Sequence, residues 1–348
     1  MKFTSLLPVL ALLASPLLFA AEIAPNDPLI RYVGRFDDNA RAAWSASTVE
    51  FTVSGGPVGV KLKDNGKNLW QVVIDGKPSA VLTLEAGEKT YPVATDLLAG
   101  THRIELIKRT EAAVGTTQIL GLQIGDDAKL LPSAARPRRI EVIGDSISCG
   151  FGNEAPSQKD PFTPGTENAW LAYGAVAARA VNADYVCIAW SGKKLWPDNT
   201  IVELYDRVLP YSEKPVWDFA RQIPDVVVVN LGTNDFGKTN PDEAGWIAAY
   251  TGFIQRIRAN YPKAPIYCAV GTMMADWKSE RKPRTTILAY IDKVIAQANA
   301  AGGPLVRLID FGIQKQENGI GASWHPSAKT HELMGAQLAT ALKQDLGW

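Results

Sequence analysis

The chain has 348 residues, and its 36 basic side chains are balanced by 36 acidic ones, so no net charge draws it to nucleic acid or to an anionic membrane surface. Hydrophobic residues make up 46% and charged residues 21%, an ordinary globular balance, and the length suits two domains. Three cysteines (Cys149, Cys187, Cys268) are too few for a disulfide scaffold, and three histidines (His102, His325, His331) form no cluster with metal spacing, so neither a metal nor another cofactor is expected.

The chain opens with one early lysine, Lys2, and an apolar run from Leu6 to Ala21 broken by Pro8, Ser15 and Pro16. A single positive charge, an apolar core and small residues at Ala20 and Ala21 describe a secretory signal peptide over residues 1–21. The run is too short and too interrupted by proline to span a bilayer. The expected product is exported (periplasmic, at the cell surface or released), starts near Ala21 or Glu22, and has no stable membrane insertion.

Residues 22–130 show short alternating runs separated by Gly, Asp and Asn: Val49–Val53, Val58–Leu62, Trp70–Ile74, Tyr91–Val93, His102–Lys108 and Ile119–Ile124. With no helical pattern between them, they predict an all-β sandwich. Trp44 and Trp70 are read as core residues and His102 as structural. Residues 131–138, with Pro132, Pro137 and small or basic neighbours, read as a linker.

From residue 139 to 348 the period changes. Buried-strand runs at Ile140–Ile143, Tyr185–Ala189, Val226–Leu231, Ile266–Val270 and Val306–Ile309 alternate with helical patterns at Trp170–Val181, Gly245–Tyr261 and Thr286–Ala301. A last helix is expected from Thr330 to about Gln344. Such alternation predicts a three-layer, flavodoxin-like α/β domain with a mostly parallel five-stranded sheet. In such sheets ligands meet the carboxyl ends of the strands. There the sequence delivers Gly144-Asp145-Ser146, then Ser191-Gly192, then Gly232-Thr233-Asn234-Asp235, and finally His325-Pro326.

By itself Gly144-Asp145-Ser146 reads equally as a helix cap or as a turn presenting a nucleophile. A serine attacks only when a base takes its proton, and the oxyanion it creates needs preorganised N–H donors. His325 supplies the base, placed by Pro326 at the start of the last helix. The Ser146 N–H, the Gly192 N–H and the Asn234 amide supply the donors. Asp145 is read as fixing the turn, Asp235 as supporting the Asn234 loop, and His331 as structural. Cys149, three residues after Ser146, fits the strand end less well as a nucleophile.

These blocks, in this order, resemble those of the SGNH (GDSL-type) hydrolases, over essentially all of residues 139–348. The resemblance implies Ser146 as nucleophile, Gly192 and Asn234 as oxyanion donors and His325 as base. The preceding β module, the Lys108-Arg109-Thr110-Glu111-Ala112 stretch, the linker and Ser323-Trp324-His325-Pro326-Ser327 look like carbohydrate esterase family 2. That family joins a jelly-roll domain to an SGNH domain in acetyl xylan esterases. It implies an enzyme that takes acetylated poly- or oligosaccharide and removes O-acetyl groups, and a monomer is expected. Two alternatives stay open: an esterase or lipase acting on other acyl esters, and an inactive carbohydrate-binding protein.

One departure bears on mechanism. The acid that usually precedes the histidine by three residues is replaced by Ala322, and Ser323 stands where some relatives have Asp. Either a backbone carbonyl orients His325, giving a Ser–His dyad, or another acid such as Asp310 or Asp276 reaches it. Trp196, Trp217, Trp277 and Trp324 fall in loops or near strand ends, and Trp277 and Trp324 are expected to wall the substrate site.

Overall fold

The computed structural model describes residues 19–277 and 279–348. The expected signal peptide lies outside the described residues except for Phe19, Ala20 and Ala21. Among the described residues no helix is long and apolar enough to cross a membrane.

The first part of the chain is all β. Its strands are β1 (Ala21–Ile23), β2 (Arg31–Val33), β3 (Arg41–Ala42), β4 (Thr48–Ser54), β5 (Val58–Asp64), β6 (Leu69–Ile74), β7 (Lys77–Thr83), β8 (Gly87–Ala94), β9 (Thr101–Lys108), β10 (Thr117–Ile124) and β11 (Lys129–Leu131). They form two antiparallel sheets, β1-β10-β5-β8 with β3 on β10, and β11-β4-β9-β6-β7 with β2 on β4. Inward-facing Val49, Phe51 and Val53 of β4 meet Val58, Val60 and Leu62 of β5 in one buried core. Trp70 lies in that core, as expected.

After β11 the chain runs without regular structure to β12 (Arg138–Gly144), which opens the α/β part. There follow α1 (Ser146–Cys149), α2 (Tyr173–Ala180), β13 (Ala183–Ala189), β14 (Val226–Asn230), α3 (Glu243–Asn260), β15 (Ile266–Val270), α4 (Pro283–Ala300), β16 (Val306–Asp310) and α5 (Ala328–Leu346). The sheet is parallel throughout, in the order β13-β12-β14-β15-β16. Helices α3 and α4 cover one face and α2 and α5 the other. Along β14 the alternation of strand side chains is plain: Val227 and Val229 enter the first core, Val226 and Val228 the second. Burial on both faces is why these strands read as unbroken apolar runs.

Several boundaries shift from expectation by two or three residues, and two of the shifts bear on the site. The helix expected from Trp170 begins at Tyr173, because Ala169–Leu171 closes as a tighter 3₁₀ turn capped by Asn168. The last helix begins at Ala328, where the Ser327 side chain accepts the Thr330 N–H at 3.2 Å. His325 therefore precedes the helix in a loop rather than opening it.

The β sandwich does not stand apart. Val33 and Trp44 belong to the core under α3 and α4, and Ala46, Val73 and Ile107 to the core under α2 and α5. Trp44 Nε1 donates to Val208 O at 2.9 Å. Arg35, wholly buried, projects from the sandwich to within 4.0 Å of the buried Glu141 carboxylate of β12.

Candidate active site

The strand order puts β12 beside both β13 and β14, so their carboxyl ends open onto one crevice. β12 ends at Gly144, and Asp145 caps α1 by accepting the Ile147 N–H at 3.0 Å. The capping reading holds for Asp145, and the turn presents Ser146 directly after it. With Asp145 as cap, Ser146 becomes the first helical residue, and its hydroxyl is free to turn outward. It meets His325, with Ser146 Oγ 2.8 Å from His325 Nε2.

His325 comes from a loop that holds it from several sides. Its Nδ1 lies 3.1 Å from Ala322 O and 3.2 Å from Ser323 O. A backbone carbonyl is the ring's partner on that side, and neither proposed acid bonds to it. Asp310 pairs with Arg284 and accepts the Gly312 N–H at 2.8 Å. Asp276 accepts the Arg284 N–H at 2.8 Å and the Thr285 hydroxyl at 2.6 Å. Phe151 packs on the imidazole at 4.3 Å between ring centroids and is itself stacked on Phe162 at 4.2 Å. Burial lowers the His325 pKa from its ordinary 6.5, against the two carbonyl contacts that raise it.

The loop's path is fixed by the opposite bank. Ala322 N donates to Gly152 O at 2.9 Å and Gly321 N donates to His325 O at 2.8 Å. A Cβ on Gly152, whose φ is +57°, would lie 2.4 Å from Ala322 Cβ. Ser323 (φ +51°) and Trp324 (φ +67°) both take the left-handed conformation that non-glycine residues avoid, and this aims His325 back at Ser146.

Of the expected donors, Gly192 (φ +78°) sits on the exposed rim after β13. Asn234 lies across from it. Its amide donates to Lys193 O at 2.9 Å and to Asp145 Oδ2 at 3.2 Å, which ties the third strand's loop to both the Ser146 turn and the Gly192 rim. Burial pushes the Asp145 carboxyl up to about 7. Asp235 accepts the Trp196 N–H at 3.0 Å and the Trp246 indole at 2.9 Å, so it joins the Gly192 rim to the Asn234 loop.

The remaining candidates separate by exposure. Trp324 and Trp277 are 58% and 85% exposed, whereas Trp217 is buried under Arg35. His331 is wholly buried, its Nδ1 accepting the Tyr173 N–H at 3.2 Å. His102 bonds Asp75 at 2.7 Å within the sandwich. Cys149 is buried and its thiol is held well above the ordinary range by burial, which leaves no thiolate for attack.

Sequence reasoning missed two features. One is the Phe151–Phe162 stack on His325. The other is a buried polar cluster behind Ser146, where Glu111, Cys149 and Glu167 converge within 4.8 Å. Each carboxylate there already accepts a backbone N–H, Glu111 from Ser191 at 2.7 Å and Glu167 from Glu111 at 2.9 Å. Lys108, also buried, supplies the counter-charge. Glu111 Oε2 and Glu167 Oε2 are thus engaged in a hydrogen-bond network with Lys108 beside them, while Glu167 Oε1 is buried without a partner. The polar run from Lys108, the last residue of an alternating strand, to Glu111 was the only sequence signal.

A serine at the end of the first parallel strand, paired with a histidine before the last helix and backed by an asparagine loop, defines a GDSL-type acylhydrolase, here with a β sandwich in front of it. Residues 142–333 match the GDSL-like Lipase/Acylhydrolase family and residues 32–133 match the family described as Carbohydrate esterase 2 N-terminal. The chain belongs to carbohydrate esterase family 2, a family of carboxylic ester hydrolases.

Among its relatives, Cellulase/esterase CelE of Acetivibrio thermocellus is 38% identical over 333 residues, which are 93% of this chain but 40% of that longer protein. An acetylxylan esterase / glucomannan deacetylase of Cellvibrio japonicus is 30% identical over 324 residues, 88% of this chain and 86% of the other. The solved structure of a family two carbohydrate esterase from Clostridium thermocellum, in complex with cellohexaose, is 38% identical. It superposes with a TM-score of 0.86 over 92% of this chain and 99% of that one.

Proposed function

We propose that this chain is an exported serine esterase that removes O-acetyl groups from xylan or a related plant polysaccharide. The observation that carries the reading is the 2.8 Å contact between Ser146 Oγ and His325 Nε2 at the carboxyl rim of the sheet. The names of the relatives point to acetylated polysaccharide, and the exposed faces of Trp324 and Trp277 suit stacking on sugar rings.

In this mechanism His325 Nε2 takes the hydroxyl proton as Ser146 Oγ attacks the acetyl carbonyl. The oxyanion is met by the N–H groups of Ser146 and Gly192 and by the Asn234 amide, whose longer bond to Asp145 gives way. As the intermediate collapses, the imidazolium returns its proton to the departing sugar oxygen. Water, deprotonated by the same ring, then cleaves the acetyl–Ser146 ester and releases acetate. Ala322 O and Ser323 O accept from Nδ1–H throughout, so a carbonyl does the orienting work of the usual acid.

Purified protein and its Ser146→Ala and His325→Ala variants, tested on a chromogenic acetate and on acetylated xylan, check the reading. Each substitution is expected to lower kcat by on the order of 10⁴–10⁶. Asp310→Asn and Asp276→Asn are expected to stay within about threefold of wild type, since neither touches the imidazole. A hundredfold loss in either would put an acid back into the mechanism, and a preference for long acyl chains would overturn the acetyl specificity.

A further inference from the structure

One side chain of the β sandwich reaches the rim of the site. Glu111, from the turn after β9, is buried, and its Oε2 accepts the Ser191 N–H at 2.7 Å. The same oxygen lies 3.8 Å from Cys149 Sγ, one turn beyond Ser146. Ser191 immediately precedes Gly192. Around Gly192 there is open space, with nothing within 4 Å of where a Cβ would stand. The peptide is therefore not held by packing on that side, and its place is set by hydrogen bonds on its neighbours. Those are Ser191 N–H to Glu111, Lys193 N–H to Trp190 O at 3.2 Å across the turn, Lys193 O from Asn234, and Gly192 O from Asn199 at 3.2 Å.

We propose that Glu111 is a positioning residue for the oxyanion hole, holding the Gly192 N–H in register with Ser146, so that the β sandwich itself sets the geometry of the reaction. The inference rests on the reading of Gly192 as an oxyanion donor. Glu111 is fixed at both ends of its own backbone: its N–H donates to Glu167 Oε2 at 2.9 Å and its carbonyl accepts from Lys108 Nζ at 3.1 Å. Arg109 O accepts the Ala169 N–H at 2.9 Å, and Arg109 pairs with Glu154, so the same stretch also braces the loop that follows Ser146. For stability alone an apolar residue would serve as well as a buried carboxylate with a lysine behind it. What an apolar residue cannot supply is an acceptor at Ser191. Burial raises the Glu111 pKa against the Ser191 bond and the Lys108 charge, and in either protonation state an oxygen remains to accept that N–H.

Two conservative variants of the full chain separate reach from charge. Glu111→Gln keeps the length and an acceptor oxygen but not the charge. Glu111→Asp keeps the charge but withdraws the oxygen by about one methylene. On acetate ester, kcat is expected to fall less than about threefold in Glu111→Gln and about 10- to 100-fold in Glu111→Asp with KM unchanged, part of the loss seen on removing a whole donor. Inhibition by methylboronic acid, whose serine adduct fills the oxyanion site, is expected to weaken in Glu111→Asp by the same factor. Equal activity in the two variants, the reverse order, or unchanged boronate affinity would overturn the proposal. So would an unprotected Ser191 amide in hydrogen exchange on the wild-type chain, a measurement that needs no variant to fold. Ser146→Ala run alongside keeps the two ideas apart. If it abolishes activity while Glu111→Asp does not impair it, only the positioning fails; if Ser146→Ala remains active, the reading of the site fails.

Discussion

His325 and His331 sit six residues apart and differ in every respect that matters to catalysis. His331 is wholly enclosed, with its pKa pushed down to about 3, and serves as an acceptor for the Tyr173 N–H. His325 is lowered less, keeps Nε2 on Ser146 and lies under Phe151. A base must be neutral to work, and a pKa below 6.5 keeps it neutral further into acid. The acid limb of kcat/KM is therefore expected to fall below pH 6.5, as a pH–rate profile would show. Phe151→Ala, which opens the ring to water, is expected to move that limb upward. That Ser146, Asn234 and His325 would meet at one crevice was legible because motif position and strand ends locate them. The partner of Nδ1 was half legible: Ala322 announced that the acid was missing, but a carbonyl has no letter in the sequence. The bond from Ser191 to Glu111 was illegible, since no motif or strand end pairs those two residues.

The element that sets the site's precision is the loop from Ile320 to Pro326, whose ends pair as an isolated bridge. Two successive left-handed residues cost about 1–3 kcal/mol each and persist because Gly152, Gln314 and the loop's own backbone hold them. Gly152→Ala brings a methyl into Ala322. It is expected to destabilise the fold by about 1–3 kcal/mol and to reduce kcat disproportionately by displacing Ala322, whose carbonyl meets His325 Nδ1. Parallel thermal melts and acetate assays check both effects. Elements of the α/β part were legible to within two or three residues because doubly covered strands and long amphipathic helices carry strong patterns. In the sandwich, β7 escaped notice because six of its seven residues are exposed and no alternation marks it, and β1, β2 and β3 are too short to show a period.

At the scale of the molecule, the sandwich and the α/β part share cores and buried charge. Asp184, at the start of β13, receives Arg31 of the sandwich at 2.9 Å and Arg139 of β12 at 3.2 Å, and Arg31 also holds Glu50 at 2.7 Å. Arg136 of the connecting segment joins Glu105 at 2.9 Å. Asp184→Ala takes the carboxylate away from Arg139 and leaves Arg31 with Glu50 alone, and it is expected to cost about 1–3 kcal/mol, read by denaturant titration. With Trp44, Arg35 and Glu111 all buried in the other half, calorimetry is expected to show one unfolding transition; two well-separated transitions would contradict a shared core.

That shared burial has a consequence for how such a chain can be inherited. Residues 132–137 look like a natural seam for gene recombination, since no strand or helix crosses them. A crossover there would pair one parent's Arg35, Trp44 and Glu111 with another parent's Glu141, Val208 and Ser191. Chimaeras cut at this seam would work only between parents that kept both sides of each contact, so the two halves are expected to travel, and to change, together.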